Sequence, residues 1–379
     1  MIAVIHYSEI ALKGKNRSFF ENKLVNNIIT SLKKNNIRFE SVSKEESRIL
    51  CFFNDEKTNV EKALKYVFGI KYFAFVEQVK SEVDEIINKS IELIKDKKSI
   101  SLITKRADKR FPINSLELNI KIGEQANNLG IKIDFKNAEQ KLFIEILSKN
   151  TYLYTEKISG IGGLPVGSSG KVLVLLSGGI DSNLAAWLLM KRGCNVDFLH
   201  FHTFPQNKIV LTTKIKKIVE TLNSYQIKSR LYLVPYHNYQ ILTEGKIDQR
   251  LDLVVFKNFI LRTAQELALK EDHKAIVTGD SLGQVASQTL QNIASTSNQV
   301  SILILRPLIG FDKDEIIEMT KKIGTYEESI KDYKDCCSIV AKKPLTSVSV
   351  EKIQKALSQI DMNEVIQKTI SEIEVFEIE

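Results

Sequence analysis

Hydrophobic and polar positions along the chain change period several times, and each change marks an element. Ile2-Ala3-Val4-Ile5-His6-Tyr7 is an apolar run with strand character, and Arg17 to about Asn35 takes the period of an amphipathic helix. Arg48 to Phe53 returns to a strand. Helical periods follow over 61–68 and 83–95, a strand over 101–106, and a helix over 116–128. The runs 142–147 and 151–154 are spaced to pair across Ser148-Lys149-Asn150. Ile158 to Gly170 is the densest Gly/Ser stretch and reads as a connector between domains.

Beyond the connector the pattern becomes βαβ. Lys171 to Leu176 predicts a buried parallel strand, and the residues from Asn183 to Arg192 predict a helix stopped at Gly193. Strands are expected over 196–201 and 274–279, with helices near 208–224 and 250–270. The fold class is therefore α/β: a doubly wound parallel sheet over 166–379, preceded by α+β modules over 1–58 and 59–165. The last stretch, 350–379, reads as amphipathic helix. In such a sheet ligands sit beyond the carboxyl ends of the strands, where Leu176, His200-Phe201 and Gly279 fall.

Composition narrows the class. A chain of 379 residues suits two or three domains, and its 43% hydrophobic content is that of a globular protein. No apolar run approaches the ~18 residues of a membrane span, and the N-terminus lacks the pattern of a secretory signal. Four cysteines (Cys51, Cys194, Cys336 and Cys337) form no disulfide framework. A reducing, cytoplasmic setting is the expectation. The net charge is +8, and residues 1–165 hold 28 Lys and Arg against 21 Asp and Glu, so most of it lies in the N-terminal part. That asymmetry points to a polyanionic partner. Two basic segments are placed to meet phosphates: Lys13, Lys15 and Arg17 around a glycine-broken loop, and Lys105, Arg106, Lys109 and Arg110 beside Phe111-Pro112.

The chemistry centres on Ser177-Gly178-Gly179-Ile180-Asp181-Ser182. A strand, a Gly-rich turn and a helix N-terminus make an anion cradle, because unpaired backbone N–H groups and the helix dipole face the turn. Ser177 and Ser182 add hydroxyl donors. No Gly-Lys-Ser/Thr follows, so this is not a Walker loop. The string resembles the PP-loop of ATP pyrophosphatases, which split ATP into AMP and pyrophosphate while adenylating an oxygen of a second substrate.

Five blocks extend the likeness along nearly the whole chain: 9–24 (EIALKGKNRSFFENKL), 104–124, 162–182, 277–292 (VTGDSLGQVASQTLQN) and 305–337, ending in Asp335-Cys336-Cys337. In this order and spacing they resemble the tRNA 4-thiouridine synthetases, the ThiI family. The resemblance implies an N-terminal ferredoxin-like domain, a THUMP RNA-binding domain and a PP-loop synthetase domain. It also implies ATP, Mg²⁺ and a tRNA whose uridine 8 exchanges O4 for sulfur, and it suggests a homodimer. By the family pattern Leu175, Leu176, His200, Phe201, Lys257, Gly279 and Gln288 line the ATP pocket, with Asp280 and Gln284 next in rank. Asp181 would support Mg²⁺ or orient the loop.

Sulfur handling falls to Cys336 and Cys337, of which Cys337 is preferred as the reactive thiol; Lys334, Lys342 and Lys343 lie close in sequence and would favour a thiolate. Cys51 and Cys194 read as structural. The chain departs from the family in three places. It stops at Glu379 without the rhodanese domain that carries a persulfide in many members, so the sulfur donor is expected to be a separate cysteine desulfurase, persulfide carrier or sulfide. Asn183 stands where proline is usual, and Lys257-Asn258 where an arginine pair is common. The rival readings are a PP-loop thiolase of the 2-thiouridine type and an RNA-binding protein with a decayed ATPase. The intact 177–182 and 277–292 blocks speak against the second.

Overall fold

The computed structural model describes residues 1–340 and 344–379, with the side chains of Cys337 and Ser338 outside that description. The chain forms two compact units, Met1–Pro165 and Val166–Glu379.

In the first unit the described strands make one nine-stranded sheet. Its organising element is Ile70–Lys80, an 11-residue strand that no single period in the sequence marks. The strand's early part pairs antiparallel with Ile2–Tyr7, in register Ile2 to Val76 and His6 to Tyr72. Its late part, Glu77–Lys80, pairs with Asn150–Tyr154. One strand therefore belongs to both halves of the unit. Helices Arg17–Lys34 and Lys57–Lys65 pack the first half around Ile5, Leu24, Ile28 and Phe73, all buried. Val83–Ile94 and Ser115–Asn128 cover the second half around Ile86, Leu118 and Ile144. The expected hairpin forms, with Phe143 opposite Tyr154 and Ile146 opposite Thr151. Part of the Gly-rich connector is also drawn into the sheet, since Ile158–Ser159 pairs with the strand at Tyr72–Phe73.

The second unit holds a six-stranded sheet. Lys171–Leu175 lies between Asn195–His202 and Ala275–Val277, parallel to both. Leu303–Leu305 and Ser229–Pro235 extend it in parallel on either side. The sheet is not wholly parallel. Glu374–Ile378 adds an antiparallel edge strand against Ser229–Pro235, which corrects the expectation of helix to the end of the chain. The helices over 350–379 are Val350–Leu357 and Met362–Ser371. Beyond them Glu374-Val375-Phe376-Glu377-Ile378 is rich in β-branched and aromatic residues and has a free sheet edge to join, so strand pairing outweighs helix propagation. The helix Asp252–Lys270 runs through a large apolar cluster, with Phe256, Phe259 and Ala264 fully buried. Among the described residues no helix is long and apolar enough to cross a membrane.

Candidate active site

The Gly-rich turn sits at the carboxyl end of the central strand Lys171–Leu175, and the following helix begins at Ile180, three residues earlier than the periodicity predicts. Asp181 and Ser182 thus lie in its first turn, where backbone N–H groups have no intrahelical acceptor. The turn is stitched by its own hydroxyls. Ser177 N–H donates to Ser182 Oγ at 3.2 Å, and Gly179 N–H to Ser177 Oγ at 3.3 Å. Gly178 has φ +82°, and a Cβ there would lie 2.6 Å from Ile215 Cδ1, so the turn depends on glycine at that place.

A cavity of about 480 Å³ opens over this turn. That is the size of a small-molecule site. Leu175, Leu176, Ser177, Asp181 and Ser182 line one side, with Phe201 from the neighbouring strand. Lys257, Gly279, Asp280 and Gln288 line the opposite side, and Asp335-Cys336 borders it as well. Gly279 packs directly against the first turn of the helix Ile180–Lys191: a Cβ there would stand 2.7 Å from the Ser182 backbone nitrogen. Gly178 and Gly179 shape the turn without lining the cavity, and His200 does not line it either.

Two buried or half-buried carboxylates organise the polar wall. Asp280 accepts from Lys257 Nζ at 3.3 Å, Thr278 Oγ1 at 2.7 Å, Arg306 Nε at 3.3 Å and Gln288 Nε2 at 3.4 Å. Burial pushes its carboxyl up, but Lys257, Thr278 and Arg306 together hold it below the usual carboxylate range. With its amide nitrogen so engaged, Gln288 is left with a buried Oε1 that has no partner among the described residues. An oxygen of that kind, on a cavity wall, is an acceptor awaiting a ligand donor. Asp181 accepts from Lys313 Nζ at 3.0 Å and from Gln284 Nε2 at 3.0 Å. Nothing in the sequence marks Lys313 and Arg306 beyond their place in the 305–337 block.

His200 is fully buried. Its Nδ1 lies 2.7 Å from the Leu176 carbonyl oxygen and its Nε2 2.7 Å from the Tyr333 hydroxyl. Burial lowers its pKa to about 4. Asn183 is buried too and donates to Ser329 Oγ at 2.6 Å. Asn258 donates to the carbonyls of Thr296 and Asn298, both at 3.0 Å. Cys336 is 1% exposed at the start of the short helix Cys336–Val340. The Cys337 side chain, the preferred thiol, lies outside the described residues, as do Lys342 and Lys343. Cys51 and Cys194 are buried, and burial pushes the Cys51 thiol up to about 12.

No group of three or more His, Cys, Asp or Glu side chains capable of holding a metal occurs among the described residues. The nearest fit for a magnesium ion is the Asp181 carboxylate at the anion cradle. Mg²⁺ is commonly held by one or two carboxylates together with substrate phosphates.

In the first unit, the basic segments divide by role. Lys105 and Lys109 are exposed, whereas Arg106 donates to the carbonyls of Phe111 and Ile113, and Arg110 is paired with Asp108 at 2.8 Å. Lys13 stands over the Phe20 ring at 4.9 Å, Lys15 is exposed, and Arg17 is engaged by Glu21 at 2.7 Å. Lys157 lies 3.8 Å from the Phe143 ring centre and 4.8 Å from that of Tyr72. Burial lowers its pKa, and Lys105, Lys141 and Lys71 add to the effect. Lys71, Lys105 and Lys141 come from separate strands and Lys157 from the link between Tyr154 and Ile158, so no run in the sequence announces the cluster.

Comparison with known proteins fits this arrangement. The family model described as thiamine biosynthesis protein (ThiI) matches residues 167–362, the ThiI ferredoxin-like domain matches 2–74, and the THUMP domain matches 73–156. A probable tRNA sulfurtransferase of Caldanaerobacter subterraneus subsp. tengcongensis is 39% identical, covering 98% of each chain. One from Acetivibrio thermocellus is 36% identical, covering 100% of this chain and 98% of its own. The crystal structure of a 4-thiouridine synthetase–RNA complex with bound ATP superposes with a TM-score of 0.88 at 31% identity, covering 100% of this chain and 99% of the other.

Proposed function

Because the chain belongs to the ThiI family of tRNA sulfurtransferases, we propose that its cavity carries out each half of 4-thiouridine formation, with the residue roles given below. The protein is an ATP-dependent tRNA sulfurtransferase that binds ATP and tRNA and forms 4-thiouridine. The observation that carries the site assignment is the juxtaposition, around one cavity, of the Ser177–Ser182 cradle, the Lys257–Asp280–Gln288 wall and Cys336.

A uracil carbonyl oxygen is a poor leaving group. In the first half, O4 of uridine 8 attacks the α-phosphorus of ATP and the bond to pyrophosphate breaks. The turn's N–H groups and hydroxyls meet the charge that builds on the departing pyrophosphate. Lys257, held by Asp280, supplies a further positive charge, and the Gln288 Oε1 accepts a ligand donor. Leu175, Leu176 and Phe201 give the apolar wall. Mg²⁺, when bound with the nucleotide, would be held at Asp181 and would neutralise phosphate charge. In the second half, sulfur bonds to C4 and AMP leaves with the former O4.

The thiol chemistry is assigned to Cys336 and Cys337, Cys336 bordering the cavity. The sulfur comes from a separate donor (a cysteine desulfurase, a persulfide carrier or sulfide), and Cys51 and Cys194, which line no part of this cavity, are left as structural residues. The domains are assigned to 1–58, 59–165 and 166–379, the first two offering Lys13, Lys15, Arg17, Lys105, Arg106, Lys109 and Arg110 to tRNA. A cytoplasmic homodimer completes the proposal on the strength of the family. Incubating the protein with ATP, unmodified tRNA and each sulfur source, then running a mercury-retarding gel, tests the reading. A retarded band that vanishes in Asp181→Ala and Cys337→Ser is expected; no band with any source would overturn it.

A further inference from the structure

His200 and Tyr333 join two parts of the site that the chain keeps 133 residues apart. The Leu176 carbonyl can only accept, so His200 Nδ1 carries the proton of that 2.7 Å bond. Burial keeps the imidazole neutral, so Nε2 is an acceptor and the Tyr333 hydroxyl must donate to it. The direction of the whole chain is thereby fixed, from Tyr333 O–H to His200 to the Leu176 carbonyl.

Each end of the chain matters. Leu176 immediately precedes the anion-binding turn and lines the cavity, and Tyr333 lies three residues before Cys336, which borders the same cavity. Two more ties hold the segment around Tyr333. Lys214 Nζ donates to the carbonyls of Ser329 and Lys331, both at 2.7 Å, and stands 5.6 Å from the Tyr333 ring centre. Asn183, in the helix after the turn, donates to Ser329 Oγ. The segment 329–333 is thus fastened to the helix that follows the turn through Asn183, to the neighbouring strand through His200, whose ring also holds the Leu176 carbonyl, and to the helix Lys214–Asn223 through Lys214. The Ser329 and Tyr333 hydroxyls and the Ser329 and Lys331 carbonyls are spent on this fastening.

We propose that His200 and Tyr333 are positioning residues that set the cysteine segment against the nucleotide turn, and so couple sulfur delivery to adenylation. The inference rests on the assignment of sulfur transfer to Cys336 and Cys337. Neither residue touches a reacting atom. Their loss leaves adenylation running and misplaces the thiol, and misplacement of about 1 Å costs roughly 100-fold in a reacting arrangement.

The test measures two products in parallel on the full chain, with ATP, unmodified tRNA and a cysteine desulfurase with cysteine: pyrophosphate released, and thiolated tRNA on the mercury gel. Tyr333→Phe removes only the hydroxyl, and His200→Asn keeps a donor near the Nδ1 position while removing the Nε2 acceptor. Both are expected to keep the single-turnover rate of pyrophosphate release within about twofold, leaving adenylated tRNA unconsumed, and to lose thiolation by roughly 10- to 100-fold. The double variant should be no worse than either single one, because both break the same bond. A purely structural role would lower both products together, and that result overturns the proposal. Retention of thiolation within about twofold in Tyr333→Phe overturns it as well. The double variant Cys336→Ser, Cys337→Ser separates the underlying reading: if it still thiolates, the cysteine assignment fails and the coupling with it. If it is inactive while Tyr333→Phe is normal, the coupling alone fails.

Discussion

Alanine at position 279 would place a Cβ 2.7 Å from the Ser182 backbone nitrogen and 2.8 Å from the Asp181 carbonyl carbon. Both atoms belong to the first turn of the helix Ile180–Lys191, so no change of rotamer relieves the contact. Ordinary van der Waals contact begins at 3.4 Å, so the strand end and the turn must part by about 0.7 Å. The turn is held from the other side by its neighbours, and overpacking of this kind costs about 1–3 kcal/mol. The functional effect is expected to be larger in proportion. A shift near 1 Å in a site that orients phosphates lowers rate by roughly 100-fold, or about 2.7 kcal/mol. Gly279→Ala should therefore lower kcat/KM for ATP by roughly 30- to 100-fold. The assay is tRNA-dependent pyrophosphate release at varied ATP, with the melting temperature measured beside it. Gly310→Ala is the control, because a Cβ there meets nothing within 4 Å. A Gly279→Ala protein within about threefold of the parent would refute the claim that the close approach shapes the cradle.

Four further outcomes are expected. Lys313→Ala should cut thiolation at least about tenfold yet move the melting temperature little, since a half-exposed ion pair contributes at most ~1 kcal/mol to stability; Lys313→Arg should recover part of the activity. Burial pushes Glu145 up, but His6 and Arg48 hold its carboxyl at about 2. A folded-state pKa below the unfolded value near 4.5 gives stability that is complete above pH ~4.5 and lost as pH falls toward 2, worth about 3 kcal/mol. Between about pH 6 and pH 3 the denaturant midpoint should accordingly fall less in Glu145→Gln than in the parent. Lys105→Gln with Lys109→Gln should weaken tRNA binding and reduce the slope of log affinity against log salt by about two units. Arg106→Gln should instead loosen the loop it ties at Phe111 and Ile113, visible as faster proteolysis there.

The parts of the site that are contiguous in sequence are legible without coordinates. The strand, turn and helix over 171–192 depend on local apolar period and on glycine placement, and both are written in adjacent residues. Lys257, Gly279 and Gln288 come from the family pattern rather than from chemistry, and all three line the cavity. Lys313 and Tyr333 escape because their roles exist only in partners 132 and 133 residues away. His200 shows the opposite limit. The family pattern places His200 in the ATP pocket, but alternation along Asn195–His202 carries Leu199 and Phe201 to the cavity and leaves His200 off its lining. The strand Ile70–Lys80 is hidden because the stretch 70–76 is apolar but for Lys71, while Glu77-Gln78-Val79-Lys80 sets two polar residues side by side, so neither strand template holds over its length.

That shared strand has a mechanical consequence. A β-strand rises about 3.3 Å per residue, so its 11 residues form a bar some 35 Å long, pinned laterally by hydrogen bonds to both halves. No hinge interrupts it, and no slack linker dilutes one half's grip with the entropy of the other. On the proposed tRNA contacts, the segments 13–17 and 105–110 would therefore meet the RNA from two halves held at a fixed spacing, and a ligand able to reach both would need phosphates set at that same spacing.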